Sequence, residues 1–350
     1  MTAVPDSSLD SKDPGKIISR DCDYCGHGTA EISLVQERMI GIGEQFPYAR
    51  CQGCQSIVLL DIPKELSSYY PKNYYSYVQT EPKRTLSGWR RPLAILRNQS
   101  LLFGTKGLGA FLARYRGDRQ ANQIGHWIQH SPVQRFDARV LDVGCGSGSR
   151  LCRMHEIGYS RLVGIDPFIA GDRQIRDGLA IRKQSLEQVA DGPYDLIMLH
   201  HSLEHMTQHD AAMNTIKGLL SPHGACLIRI PLADNNLIEQ YGTRWVEWDA
   251  PRHLVLHSTD SFRRLAHRTG FRIHRIDWDS DRFGYWASEL YMRGISLIDP
   301  ATSEFRNPED HFSPEELQQF DTRAQEDNQN SRACRAAFWL THSSNTPPPQ

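Results

Sequence analysis

Val140-Leu-Asp-Val-Gly-Cys-Gly-Ser-Gly-Ser149 is the stretch of this chain that decides its fold. An apolar run ends in Asp142, and three glycines follow it at every second position, Gly144, Gly146 and Gly148. A helical pattern of apolar residues begins directly after them. The stretch predicts a strand, a glycine-rich turn and a helix, because glycine lets the backbone turn sharply and lets a ligand approach without a Cβ in the way.

A second apolar run, Leu162-Val-Gly-Ile-Asp166, ends in a carboxylate. An acid at the tip of a second strand is placed to accept hydrogen bonds from ribose hydroxyls. A dinucleotide-binding turn has its third glycine three residues after the second, whereas here Gly148 follows Gly146 by two residues. The two runs therefore indicate the nucleoside-binding half of a doubly wound α/β sheet, without a pyrophosphate site.

The length and net charge of the chain are typical of an ordinary globular protein. It has 350 residues and a formal net charge of −1, which does not favour binding to nucleic acid. No apolar run approaches the roughly 18 residues that span a bilayer. Residues 1–20 are polar and lack the apolar core of a signal peptide, so we expect a disordered leader on a cytoplasmic protein. Residues 343–350 are rich in Pro and Ser and are predicted to form a disordered tail.

The cysteines point to a metal. Cys22 and Cys25 form one Cys-x-x-Cys pair, and Cys51 and Cys54 form a second. Four thiolates in this pattern can close a tetrahedral structural Zn²⁺ site. A redox pair is the alternative, but the segment lacks a thioredoxin-like βαβ frame. We therefore predict a small zinc-ribbon-like module over residues 21–60, which zinc folds because it cannot bury its own core.

Residues 61–135 are predicted to form a linker or lid. Five tyrosines fall between Tyr69 and Tyr77. They fit either a lid of phenols over a sugar-like substrate or packing between domains. Residues 83–120 are basic, with leucines interleaved, and predict amphipathic helices. Such helices fit a solvated linker, or a segment that touches an anionic substrate or, peripherally, a membrane surface.

A catalytic domain is predicted over residues 136–342. After the first two strands, apolar runs place five more, which would complete a seven-stranded Rossmann-like sheet. These runs cover residues 179–182, 194–199, 225–230, 271–277 and 336–341. Ser258 and Gly270 bound a predicted helix before the sixth strand, and Ser313 with Glu316 forms a predicted capping box before the last.

Three stretches, Asp142–Gly148, His200–His205 and Trp245–His253, resemble class I S-adenosylmethionine-dependent methyltransferases of the Methyltransf_23 type, related to ubiquinone-biosynthesis O-methyltransferases. The cysteine pairs followed by tyrosines resemble the N-terminal module of sugar C-methyltransferases. The resemblance implies methyl transfer from S-adenosylmethionine to a small-molecule acceptor. That acceptor would be a sugar, free or nucleotide-linked, or another polysaccharide or secondary-metabolite precursor. Those sugar enzymes place a Glu beside the His of the third stretch, where this chain has Arg252, so O- and C-methylation both stay open.

The resemblance also assigns residues to the cofactor. Asp142 would face the methionine ammonium, Asp166 would hold the ribose, and Ser185 would lie at the adenine in place of an acid found in many relatives. His200 would lie where cofactor and acceptor meet. The full set of implied cofactor-binding residues is Asp142, Gly144, Cys145, Gly146, Gly148, Asp166, Pro167, Ser185, Leu186 and His200.

His253 is the predicted general base, because an ordinary histidine pKa near 6.5 suits proton removal at neutral pH. It follows the fifth strand, on the ligand-binding edge of the sheet. Trp245 and Trp248 nearby are expected to wall the pocket. His205 is the next candidate for the base, followed by His201. A His satisfied by a backbone carbonyl is the structural alternative for His253.

Glu204 and His205 match a pair that can bind a divalent metal in the ubiquinone-type enzymes. His201 stands where those enzymes have a further Glu, and two ligands rarely make a catalytic site. Packing of Glu204 under the cofactor loop is therefore the preferred interpretation. A second interpretation of the whole chain is a catalytically silent, cofactor-binding protein whose zinc module docks a partner. Near-neutral charge and the lack of an Asn/Asp-Pro-Pro-Tyr motif after the fourth strand disfavour RNA and protein acceptors.

Overall fold

The computed structural model describes residues 13–70, 90–115 and 127–344. Its strands are β1 (Ile17–Ser19), β2 (Thr29–Gln36), β3 (Gln45–Cys51), β4 (Ile57–Leu59), β5 (Arg139–Val143), β6 (Arg161–Ile165), β7 (Arg173–Arg176), β8 (Leu179–Arg182), β9 (Tyr194–His200), β10 (Leu220–Pro231), β11 (Val255–Leu256), β12 (Phe271–Trp278) and β13 (Arg335–His342). Its helices are α1 (Arg90–Phe103), α2 (Leu108–Tyr115), α3 (Ser149–Ile157), α4 (His209–Leu219), α5 (Asn236–Tyr241), α6 (Thr259–Arg268), α7 (Phe283–Met292) and α8 (Pro314–Gln329).

The main sheet is mixed and has the order β12-β13-β10-β9-β5-β6-β8-β7. Its central strands are parallel, and β13 runs antiparallel to both β10 and β12. Seven strands were expected, and the described residues form eight. The additional strand is β7, which pairs antiparallel with β8 at the edge of the sheet. Its residues are mostly polar, so the apolar runs did not reveal it.

The strand order reverses beside β5. The chain passes from β5 to β6 and β8 on one side and then returns to β9 on the other side. In open α/β sheets, ligands bind at this switch point, outside the carboxyl ends of the strands. Asp142 and the glycine turn lie at the end of β5 and therefore stand at the predicted binding edge.

Two helix boundaries predicted from the sequence are confirmed. Ser258 caps α6 in a reciprocal arrangement with Ser261, and Thr269 and Gly270 follow the helix end. Ser313 and Glu316 form the capping box of α8, which runs four residues beyond the predicted end near residue 325.

A second sheet has the order β1-β2-β3-β4-β11. Its last strand, β11, comes from the loop after β10 and pairs antiparallel with β4. Buried residues of β2 to β4 therefore share one core with that loop and with α7. The predicted leader over residues 1–20 is wrong at β1, which pairs with β2. Residues 1–12 lie outside the described part of the chain, as do residues 345–350 of the predicted tail.

The predicted amphipathic helices of the basic segment are present as α1 and α2. Helix α1 is fixed to the catalytic domain where the Asn98 amide donates to the Ile157 carbonyl at 3.2 Å. Leu96, Leu108 and Phe111 are at least two-fifths exposed. Residues 71–89, which hold most of the tyrosine-rich segment, and residues 116–126 are outside the description. In the rest of the chain, no helix is both long enough and apolar enough to cross a membrane.

Candidate active site

The glycine turn has the backbone geometry that its sequence predicts. Gly144, Gly146 and Gly148 all have positive φ, between +53° and +78°. A Cβ at Gly148 would lie 2.0 Å from the Ile181 side chain, and one at Gly144 would lie 2.6 Å from the Ser202 Cβ. Because both the dihedral angles and the space exclude side chains, the turn presents bare backbone to the binding edge.

Asp142, near the end of β5, places a buried carboxylate at this turn. Its carboxylate is fully buried, and Oδ2 lies 3.4 Å from Arg150 Nη1. Oδ1 has no hydrogen-bond partner among the described residues. Burial raises the pKa of Asp142 to about 6, although Arg150 acts in the opposite direction. A buried carboxylate oxygen in this state is suited to a cationic donor such as an ammonium group.

Asp166, at the end of β6, is bonded to the same turn. It accepts the backbone N–H of Gly146 at 3.0 Å and that of Phe168 at 2.8 Å. Burial raises the pKa of Asp166, while these two N–H groups lower it. Because a carboxylate has about four acceptor positions, the group retains capacity for ribose hydroxyls. The orphan oxygen of Asp142, the bare glycine backbone and Asp166 together fit S-adenosylmethionine.

Other predicted cofactor residues take different positions. The Cys145 side chain belongs to the buried core, so only its backbone can face a ligand. Pro167 is exposed beside Asp166. Ser185 precedes a 3-10 turn and its N–H donates to Gln188 Oε1 at 2.9 Å, while Leu186 is buried. Contacts of these residues with the cofactor remain predictions.

His200 ends β9 and His201 follows it, and the two differ in their surroundings. The His200 ring meets Trp127 edge-on, with centroids 4.9 Å apart. His201 Nε2 accepts from Arg229, so its Nδ1 must donate to Glu204 Oε1, 3.2 Å away. Both nitrogens are thus occupied, and burial holds the pKa of His201 well below its usual value. His201 is bonded as a structural residue, which weakens its candidacy as a base.

His205 and His253 lie side by side, with ring centroids 4.9 Å apart. His205 Nδ1 donates to the Arg252 carbonyl at 2.8 Å, and His253 Nδ1 donates to the Glu247 carbonyl at 2.7 Å. The neutral tautomer of each ring therefore leaves Nε2 as an acceptor. Burial lowers the pKa of His253 to about 4, against the opposing effect of Asp249. The expected pKa near 6.5 is thus too high for this environment.

Glu204 lies beneath these rings. It is 1% exposed, and Oε1 is 4.0 Å from His253 Nε2. Oε2 has no hydrogen-bond partner within the part of the chain described, and burial raises the pKa of the group well above its usual value. Donor atoms of Glu204, His205 and His253 all lie within 4.8 Å of one another. The structure thus adds a third donor to the pair that the sequence suggested.

The two tryptophans of the loop after β10 are not free pocket walls. Trp245 and Trp248 are 1% and 3% exposed and lie in the core shared with the N-terminal sheet. The Trp248 ring meets the Tyr48 ring edge-on at 5.3 Å. The expectation that they line the acceptor pocket is wrong, because the N-terminal sheet covers this side of the loop.

Glu37 and Tyr70, both from the N-terminal part of the chain, contact the two histidine-bearing loops, and no sequence signal indicated the contact of Glu37. Arg252 is fully buried and bonds Glu37, which lies more than 200 residues earlier in the chain. No motif or periodicity relates positions so far apart. Tyr70, part of the predicted lid, lies with its ring centroid 6.5 Å from that of His205. The lid itself remains a prediction.

The four cysteines of the two pairs come together at one site. The Cys22 and Cys54 sulfurs are 3.6 Å apart, as are those of Cys25 and Cys51. All four Sγ atoms lie within 4.8 Å of one another. Tetrahedral zinc with Zn–S bonds of about 2.3 Å requires sulfurs roughly 3.8 Å apart, so the cluster fits Zn²⁺.

Solved structures similar to the chain include an S-adenosylmethionine-dependent methyltransferase from Archaeoglobus fulgidus. It is 16% identical, with a TM-score of 0.38 over 66% of this chain and 97% of that one. Geranyl diphosphate C-methyltransferase from Streptomyces coelicolor is 17% identical, with a TM-score of 0.39 over 59% and 72% of the two chains. A cyclopropane synthase from Mycobacterium tuberculosis is 17% identical, with a TM-score of 0.37 over 58% and 77%.

No curated protein matches the sequence. Residues 113–276 match the family Methyltransf_23, described as a methyltransferase domain. The match begins in α2, contains the glycine turn and both histidine-bearing loops, and ends in β12. It thus spans the part of the chain in which the structure assembles the cofactor edge of the sheet.

Proposed function

We propose that this methyltransferase transfers a methyl group from S-adenosylmethionine to a small polar acceptor. The acceptor would be a sugar, free or nucleotide-linked, or another precursor of a polysaccharide or secondary metabolite. The observation that carries the proposal is the pair of Nε2 atoms of His205 and His253, both left as acceptors beside the cofactor edge. Such an arrangement suits removal of a proton from a hydroxyl or an activated carbon.

The cofactor, when bound, supplies a methyl group already activated by its sulfonium. The chain has to hold and align it. Asp142 Oδ1 accepts the methionine ammonium, and the glycine backbone lets the ligand pass close to the turn. Asp166 accepts from the ribose hydroxyls, as its place at the end of β6 favours.

His253 is the proposed base. Its Nε2 takes the acceptor proton, and its Nδ1–H remains bonded to the Glu247 carbonyl. Asp249 Oδ2, 3.8 Å from Nε2, stabilises the imidazolium that forms. His205 is the alternative base because its Nδ1 is held in the same way. His201 stays third, since both of its nitrogens are bonded.

Zn²⁺ at Cys22, Cys25, Cys51 and Cys54 has a structural role in this proposal. Cys54 is joined to the catalytic domain through its carbonyl, which accepts from the Ser258 hydroxyl. Zinc would therefore fix the sheet that packs against the loop carrying His253.

A second candidate arrangement uses the same histidines as metal ligands. The Oε2 atom of Glu204 is buried without a partner among the described residues, and a divalent cation would satisfy it. With His205 and His253, Glu204 would then hold a cation that polarises the acceptor oxygen. The EPR signal of added Mn²⁺ tests this: it should lose intensity with the native chain and keep it with Glu204→Gln.

The test of the main proposal is methyl transfer in vitro. The chain is incubated with S-adenosylmethionine and a panel of nucleotide-linked sugars, and release of S-adenosylhomocysteine is followed with and without each acceptor. Acceptor-dependent release that His253→Ala abolishes supports the proposal. Tight cofactor binding with no turnover on any member of a broad panel would support the catalytically silent alternative.

A further inference from the structure

Arg252 is the centre of a buried ionic cluster beside His253. Its Nη2 donates to Glu37 Oε1 at 2.9 Å and to Asp249 Oδ1 at 2.7 Å. Its Nη1 donates to the Tyr69 carbonyl at 2.7 Å. The guanidinium is fully buried, so it can reach neither solvent nor the molecule that accepts the methyl group. Arg252 therefore serves to join the N-terminal sheet to the catalytic loop.

Glu37 is held by the backbone of its own turn as well as by Arg252. It follows β2, and its carboxylate accepts the backbone N–H groups of Ile40 at 3.0 Å and Ile42 at 2.9 Å. Its side chain is fully buried. Because a tight turn of the N-terminal sheet holds this carboxylate, Glu37 presents a rigid anionic anchor to Arg252.

Asp249 accepts hydrogen bonds from the Nε and Nη2 atoms of Arg252 and forms the turn before His253. Its φ of +38° lies in the left-handed region, which a non-glycine residue adopts only when its surroundings hold it there. Its carbonyl accepts the N–H groups of Arg252 at 2.7 Å and His253 at 3.2 Å. Burial would raise the pKa of Asp249, but the charge of Arg252 lowers it. The ionised carboxylate thus holds the turn from which the His253 imidazole projects.

A second contact from the N-terminal sheet reaches His253 directly. The Tyr48 hydroxyl donates to the His253 carbonyl at 2.9 Å, and Tyr48 is fully buried. The Leu59 N–H then bonds the Leu254 carbonyl at 2.9 Å, where β4 meets the chain before β11. The backbone of His253 is therefore held on one side by Tyr48 and on the other by the Asp249 turn.

We propose that Glu37, in the turn after β2, and Tyr48, on β3, are positioning residues that set the orientation of the His253 imidazole. Glu37 acts through Arg252 and Asp249, and Tyr48 acts on the His253 carbonyl. The N-terminal sheet is then part of the reaction machinery, not a separate docking module. What His253 does for the acceptor rests on the proposed function, whereas the positioning itself does not.

Nitrogen NMR of the 350-residue chain, labelled with ¹⁵N in the histidine rings, tests the positioning. The His253 signals are assigned by their loss in His253→Gln. Two variants each weaken one link: Glu37→Gln removes the negative charge that pairs with Arg252, and Tyr48→Phe removes the hydroxyl that donates to the His253 carbonyl. The matched control is Glu31→Gln, an exposed glutamate on β2 of the same sheet. Thermal melting and S-adenosylmethionine calorimetry accompany each variant.

In the native chain His253 should be almost wholly the Nδ1–H tautomer. Each variant should shift the His253 signals and populate the other tautomer, while Glu31→Gln leaves them unchanged. His209, bonded to His257 at 2.8 Å, is the internal reference and should not move. A residue that only stabilised the fold would lower the melting temperature and leave the tautomer of the folded state unchanged.

Unchanged His253 signals in both folded variants would overturn the proposal. Should Glu37→Gln fail to fold, Tyr48→Phe decides alone, since it removes one hydroxyl and keeps the ring. Failure of the proposed function looks different: His253→Ala would keep its turnover, while the ring signals of the native chain would still respond to Glu37→Gln.

Discussion

Asp166, at the end of β6, accepts the backbone N–H of Gly146 in the glycine turn at 3.0 Å. This bond joins the two elements of the cofactor site, the bare backbone that follows β5 and the carboxylate that follows β6. The proposed ribose site is therefore already formed without a ligand. Loss of the carboxylate should affect both ligand binding and the shape of the turn.

Asp166→Ala should weaken S-adenosylmethionine binding by about 1.5–3 kcal/mol, the usual loss for hydrogen bonds that involve a charged group. Calorimetry on the variant and on Asp177→Ala, an exposed acid of the same domain, gives the comparison. The control should bind as the native chain does. Unchanged affinity in Asp166→Ala would mean that the ribose lies elsewhere.

Cofactor affinity should depend on pH through Asp142. Burial raises the pKa of this carboxyl to about 6 in the free protein, and only the ionised form can accept a charge-assisted bond from the ammonium. Affinity should therefore be full above pH 6 and fall by roughly tenfold per pH unit below it. Calorimetry between pH 5 and pH 8 measures this profile. Asp142→Asn should bind weakly with a flat profile, and a flat profile in the native chain would contradict the role.

Much of the catalytic domain could be predicted because its signals are local. The strand, glycine turn and helix around Asp142 follow from neighbouring residues, and Ser258 and the capping box of Ser313 with Glu316 mark helix starts. The match to a methyltransferase domain confirms the reaction class that the family resemblance implied.

The rest depended on contacts between distant positions. Trp245 and Trp248 were expected at the pocket, yet β11 pairs with β4 and draws their loop under the N-terminal sheet. Glu37 reaches Arg252 only because the same pairing brings the two segments together. The low pKa of His253 likewise comes from burial, which no spacing of residues reveals.

The cysteine cluster should hold about one zinc per chain. Because the N-terminal sheet shares its core with the loop of Trp245, removal of zinc by a chelator should lower the melting temperature of the whole chain. Metal analysis and scanning calorimetry provide the measurements, with Cys51→Ser beside the core variant Cys226→Ser as control. A purified chain with free thiols, no metal and a folded sheet would contradict the site.

His253→Ala should lower kcat by about 10²–10⁴-fold if this residue removes the acceptor proton. Cofactor affinity should barely change, because the proposed ammonium and ribose contacts belong to Asp142 and Asp166. The measurement is turnover on whichever acceptor the panel identifies, together with calorimetry for S-adenosylmethionine. Comparison with His205→Ala assigns the base, since the two rings are held by equivalent carbonyl contacts.

The structure predicts the direction in which kcat should change with pH. The neutral imidazole is the form that takes the proton, and burial lowers the pKa of His253 to about 4. Protonation of His253 should therefore leave kcat unaffected at neutral pH and reduce it only as the pH approaches 4, well below the ordinary histidine value near 6.5. Near-normal kcat in His253→Ala would pass the role to His205. Loss of cofactor binding in the same variant would instead make this loop part of a lid over the cofactor.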